Sequence, residues 1–145
     1  MSDERKNEQV AAFVSYARSL VGRARWRHRG RKPWAVDCLG LLVLAGRAAG
    51  IPGEDFTRYG REPWDDQLRK TLRRICGDPV DDWRPGDVAL LRWGNSEPTH
   101  VGILADHPLG GLSIIHAHSL YGVVEHSLNG YVSGCVVEAY RLVRS

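Results

Sequence analysis

A chain of 145 residues, 43% hydrophobic and 26% charged, is long enough to bury a core without staples, and its composition excludes a disordered or fibrous polymer. The formal charge of +3 is mild but unevenly spread: Arg23, Arg25, Arg27, Arg29, Arg31 and Lys32 crowd one segment, while Asp65, Asp66, Asp78, Asp81 and Asp82 gather later. One domain over residues 1–145 is expected.

The first predicted helix covers about residues 6–21, where Val10, Phe13, Val14, Ala17, Leu20 and Val21 recur at three- and four-residue spacing. Gly22 ends it, and the arginine-rich stretch to Pro33 reads as a loop. A second helix starts at Asp37, a good N-cap residue, and runs to Gly50 with Pro52 beyond as a stop. Leu39, Leu41, Leu42, Val43, Leu44 and Ala45 leave it almost no polar face, so it should be central. A third, more polar helix fits 63–75 with Leu68, Leu72 and Ile75 as a narrow stripe. After Arg84-Pro85-Gly86 the pattern turns strand-like: Val88–Trp93, His100–Ala105, Leu112–His118, Gly122–Leu128 and Cys135–Leu142, with hairpin turns at Gly110-Gly111 and Tyr121-Gly122. Helices first and antiparallel strands afterwards predict an α+β fold.

Cys38, Cys76 and Cys135 are odd in number and lack CxxC spacing, which argues against a disulfide framework and a cysteine-built zinc site. The segment before residue 10 has no basic-then-apolar run, so synthesis in the bacterial cytoplasm without a signal peptide is expected. No apolar run reaches membrane-spanning length, so no membrane insertion is expected.

Three residues carry the chemistry. Cys38 opens an apolar helix, where backbone N–H groups and the macrodipole favour a thiolate. His100, at the first residue of an apolar strand after a polar loop, suits the mouth of a cleft and could take the thiol proton. His116 lies mid-strand between Ile115 and Ala117, and His118 shares its face by two-residue alternation. Singly, each histidine reads as a structural residue and Cys38 as a small buried hydrophobe. A thiol first and two imidazoles later, each on a suitable element, reads as a cysteine nucleophile with its base and an orienting group.

Asp37-Cys38-Leu39-Gly40-Leu41, Pro85-Gly86-Asp87-Val88, His100-Val101-Gly102-Ile103 and Ile115-His116-Ala117 resemble the four blocks of the NlpC-like cell-wall cysteine peptidases, over about residues 10–142. The resemblance implies a papain-like core, with the nucleophile helix packed on a mostly antiparallel sheet. It implies Cys38 as nucleophile, His100 as base and His116 as third polar residue, acting on peptide bonds of peptidoglycan stems without a cofactor. His28-Arg29-Gly30-Arg31 and Gly122-Val123-Val124-Glu125-His126 further resemble the bacteriophage and gene-transfer-agent branch, which implies tail-hub partners and a place at a virion tail tip. Trp26 stands where the family commonly has a tyrosine, and its indole N–H donates but neither accepts nor ionises. The backbone N–H of Cys38 is therefore the expected oxyanion donor.

Around this centre, Trp26, Asp37, Arg25, Arg27 and His118 are candidate oxyanion or substrate-binding residues. The basic loop fits a substrate with free carboxylates; a solvated loop and a nucleic-acid patch are its other readings, and no nucleic-acid partner is expected. A zinc site of His100, His116 and His118, with Glu125 approaching from the next strand, is a rival. So are a non-catalytic tail-tip plug, an amidase of the CHAP type and an acyltransferase with a related core.

Overall fold

The computed structural model describes residues 2–51, 55, 66–93 and 99–143. Helix α1 spans Asp3–Ser19, with Ser2 as N-cap and Phe13, Val14 and Ala17 buried. Helix α2 spans Cys38–Ala48 and helix α3 Gln67–Cys76. The segment expected as a loop instead pairs as three two-residue strands, β1 (Arg25–Trp26), β2 (Arg31–Lys32) and β3 (Ala35–Val36), in the order β1-β3-β2. Strands too short for a side-chain period leave no sequence signal; backbone bonds such as Arg25 N–H to Trp34 carbonyl, 2.9 Å, make them.

The main sheet holds β4 (Val88–Leu91), β5 (His100–Asp106), β6 (Leu112–His118), β7 (Gly122–Ser127) and β8 (Val136–Tyr140), ordered β7-β6-β5-β4-β8. All its neighbours are antiparallel, as expected. A short helix, α4 (Gly130–Cys135), precedes β8 where the sequence suggested only a connection into a strand. Residues 63–65 of the expected third helix lie outside the described residues.

The sheet is covered on both faces, which is why its inner strands read as apolar runs rather than clean alternations. Val88, Leu90, Val101, Ile103, Ile115 and Ala117 pack with Phe13, Ala17, Leu41, Ala45 and Leu68 of the three long helices. Ala89, Leu91, Leu104 and Ile114 pack on the other side with Cys135, Val132 and Trp83.

Two ties set which way β6 and β7 present their side chains. Glu125 accepts from Arg18 Nε at 2.9 Å and Nη2 at 2.7 Å, and from the Ser113 hydroxyl at 2.6 Å, so it faces α1. Its neighbours Val124 and His126 therefore face the opposite side. At the hairpin, Gly122 has φ of +74°, and a Cβ there would run into the Ala24 carbonyl oxygen, so only glycine lets the turn dock beside β1.

Candidate active site

Asp37 builds one half of the site. Its Oδ1 accepts the Gly40 N–H at 2.8 Å as an N-cap of α2, and also Arg31 Nη1 at 3.1 Å. Its Oδ2 accepts the N–H of Arg29 at 2.8 Å, which Arg29 presents from a left-handed conformation at φ +59°. Asp37 is buried and committed to this scaffold. Of the substrate-contact candidates it is thus the one whose carboxylate holds the Cys38 segment in place. Gly40 completes the fit: a Cβ on it would collide with the Gly30 carbonyl oxygen, so only glycine lets the first turn of α2 lie against that loop.

Cys38, the first residue of α2, is half-buried. The N–H groups of Val101, Leu39 and Cys38 itself bear on its sulfur and favour a thiolate. They are outweighed. Burial, and then the Asp37 charge beside it, push the thiol up to about 12, so the resting sulfur keeps its proton. A pre-formed thiolate was the expectation from helix position alone; burial and the neighbouring carboxylate reverse it. Contact with the Val101 amide puts the thiol beside the strand residue that follows His100.

The other half is a row of imidazoles. His100 Nε2 lies 2.8 Å from His116 Nδ1, and His116 Nε2 lies 2.8 Å from His126 Nε2. The ring centroids are 5.0 Å apart in both pairs, with interplanar angles of 83° and 80°. Burial pushes His100 down to about 4 and His116 down to about 3, the latter also opposed by its imidazole neighbours; His126 shifts the same way. All three are neutral at pH 7. Trp93 covers the pair, with its ring 5.8 Å from His100 and 6.2 Å from His116.

His118 points along the same face but has other work. Its Nδ1 accepts the N–H groups of Leu120 at 3.0 Å and Tyr121 at 3.3 Å, and its ring stacks on Tyr121 at 4.8 Å. His126 was not among the sequence candidates. The signal was there in principle, because β6 pairs His116 with Val124, which puts His126 one diagonal step away on the same face.

The zinc arrangement does not form. His100 and His116 turn their nitrogens on each other, His118 uses one on backbone, and Glu125 faces α1. Among the described residues no group of three or more His, Cys, Asp or Glu is arranged to hold a metal ion.

A cleft of about 880 Å³ opens over the imidazoles, walled by Trp26, Trp93, Leu120 and Tyr121. Trp26 alone of the basic-segment candidates lines it. Arg25 and Arg27, its neighbours in sequence, are exposed and do not.

No protein-family model matches this sequence, and no curated protein does. Solved structures do. The fold is similar to an NLP/P60-family protein, described as similar to lipoprotein, from Staphylococcus aureus, at 19% identity and TM-score 0.64, covering 100% of this chain and 43% of that one. NlpC2 from Trichomonas vaginalis gives 19% identity and TM-score 0.69 over 95% of this chain and 48% of that one. The NlpC/p60 domain of the peptidoglycan hydrolase SagA gives 21% identity and TM-score 0.59 over 90% of this chain and 97% of that one. The chain spans less than half the length of the first two and nearly all of the third. At these identities the likeness shows the fold, the papain-like α+β arrangement with N-terminal helices on a five-stranded antiparallel sheet.

Proposed function

We propose that this chain is a cysteine endopeptidase of bacterial peptidoglycan stem peptides, with Cys38 as nucleophile, His100 as base and His116 as the group that orients His100. The carrying observation is the 2.8 Å contact from His100 Nε2 to His116 Nδ1, beside a thiol that touches the Val101 amide. With Nε2 engaged, the remaining ring nitrogen of His100, Nδ1, is the one left to serve Cys38.

Resting thiol and resting imidazole are both neutral, so proton transfer accompanies attack rather than preceding it. The Cys38 S–H proton passes to His100 Nδ1 as sulfur bonds to the carbonyl carbon, and the oxyanion is met by the Cys38 backbone N–H. His100 then protonates the leaving amine as the C–N bond breaks. Water, deprotonated by His100, attacks the thioester and expels sulfur, which recovers its proton. Peptidoglycan as substrate is supported by the peptidoglycan hydrolase among the structural neighbours and by the sequence blocks.

A place at the tail tip of a phage-like particle, against tail-hub proteins, is the finer part of the proposal and rests on the His28–Arg31 and Gly122–His126 blocks. Mass spectrometry of muropeptides after digestion tests the chemistry. New termini within the stem are expected; release of whole stems from the glycan would make the enzyme an amidase instead. Particle proteomics tests the location: presence in purified virions is expected, and absence there with abundance in lysates would overturn it.

A further inference from the structure

We propose that His126 is a positioning residue: it fixes the direction of the three-imidazole chain and thereby keeps the Nδ1 lone pair of His100 free to act as base. This rests on the thiol–imidazole assignment above and extends it one residue further out.

A neutral imidazole carries one N–H and one lone pair, so three in series have two self-consistent arrangements. In one, His100 Nε2–H donates to His116 Nδ1, and His116 Nε2–H donates to His126 Nε2, which must then carry its hydrogen on Nδ1. In the other every bond is reversed, and His100 carries its hydrogen on Nδ1, where no proton can be accepted. His116 is inside the protein with both nitrogens spent on its neighbours, so it transmits the choice without making it.

The choice is made at the ends. At the inner end the Cys38 thiol keeps its proton, and the base role proposed above has His100 accept that proton at Nδ1. At the outer end, half-buried His126 borders the cleft with its Nε2 2.8 Å from His116 Nε2, so whether His126 carries its hydrogen on Nδ1 or Nε2 sets the direction of the whole row. The other groups acting on the row are His118, on all three rings, and Asp37, on His100 alone. Glu125 and Arg18 are paired with each other on the opposite face of β7. Among the described residues, the hydrogen bond given for His116 Nε2 is the one to His126.

Two measurements on the full chain test this. Nitrogen-15 NMR of histidine-labelled protein at neutral pH should find hydrogen on Nε2 of His100, Nε2 of His116 and Nδ1 of His126. Hydrogen on Nδ1 of His100 overturns the proposal, whatever the variants do. The variants then read the consequence through iodoacetamide labelling of Cys38, which needs no peptidoglycan. His126→Glu puts an acceptor opposite His116 and should leave labelling within about threefold of the parent, whereas His126→Lys puts a donor there and should slow it by roughly tenfold or more. Equal slowing by both, with the His100 tautomer unchanged, would make His126 merely structural and overturn the idea. A protein with the expected tautomers and labelling but no action on cell walls would sink only the substrate proposal.

Discussion

Asp37 and His116 are about equally buried, at 4% and 3% exposure, yet they are held by opposite means. Asp37 is bonded by a guanidinium and backbone N–H donors. His116 lies between two other neutral imidazoles. Charge fixes the helix side of the site, and its cost is visible in the neighbouring thiol, which the Asp37 field helps to keep protonated. The strand side avoids charge altogether, so its order lies in which nitrogen bears each hydrogen. The proposed nucleophile and base thus both rest neutral, and each half can be broken separately.

The largest effect should come from Cys38→Ala, which removes the proposed nucleophile and should abolish hydrolysis, while a strong chelator should leave the parent untouched. Iodoacetamide mapping should modify Cys38 ahead of Cys76 and Cys135, which are buried at 6% exposure each. With the thiol held at about 12 and neutral His100 taking its proton as it reacts, the labelling rate should change little between about pH 6 and 8, and His100→Ala should slow it there and leave a rate that climbs about tenfold per pH unit. Fast labelling at neutral pH that survives His100→Ala would show a pre-formed thiolate and restore the helix-dipole reading.

Next in size is the contrast between His116 and His118. His116→Ala removes the partner of His100 Nε2 and should lower kcat by roughly ten- to a thousandfold with little change in KM. His118→Ala should cost far less in kcat, since its Nδ1 bonds the backbone of Leu120 and Tyr121. Equal losses in kcat would mean that the turn, rather than the imidazole contact, controls His100.

How much of this was legible in the sequence depends on range. Asp37 as cap, Cys38 in the first turn and the five main strands to within a residue or two all follow from local pattern. The three short strands near the arginines and helix α4 do not. Gly130 and Gly134 give α4 little helical propensity, and it forms where Val132 and Cys135 pack on the outer face of the sheet. The first-turn N–H groups do pull the thiol down, as helix position predicts. Burial and the placement of the Asp37 charge are tertiary quantities, and they decided the sign. His126 needed the β6–β7 register, which one bound at the Tyr121-Gly122 turn would have supplied.

Asp37→Ala should destabilise the fold by about 3 kcal/mol in denaturant unfolding, from the lost cap and a half-stranded Arg31 that still has Asp55. Asp37→Asn keeps an acceptor for Gly40 and should recover part of that loss. It should also make Cys38 easier to ionise, since one of the two upward influences on the thiol is gone. An Asn variant with unchanged labelling would assign the raised thiol to burial alone.

The imidazole side predicts an acid weakness. His100 and His116 sit at about 4 and about 3 in the folded chain against 6.5 when free, so the unfolded chain binds more protons below pH 6.5. Stability contributed by the neutral rings is therefore complete above about 6.5 and is lost as pH falls toward 4 and then 3. Urea midpoints should drop between pH 6.5 and 5, above the range in which Glu125 takes up its proton. His116→Gln should flatten that slope. An unchanged slope would place the acid sensitivity elsewhere.

The smallest effect separates the cleft from the basic segment beside it. If Arg25 and Arg27 recruit stem-peptide carboxylates, they do so from outside the cleft wall, because both are exposed while Trp26 between them lines it. Exposed charges are screened over about 10 Å at 0.1 M salt, so their contribution should be a modest, salt-sensitive one. Arg25→Ala with Arg27→Ala should raise KM by roughly two- to fivefold at low salt, leave kcat unchanged, and converge with the parent as salt is added. Trp26→Ala should instead raise KM at every salt concentration, since it removes an aromatic wall rather than a charge. The same salt dependence in all variants would mean that the arginines serve some surface other than the substrate.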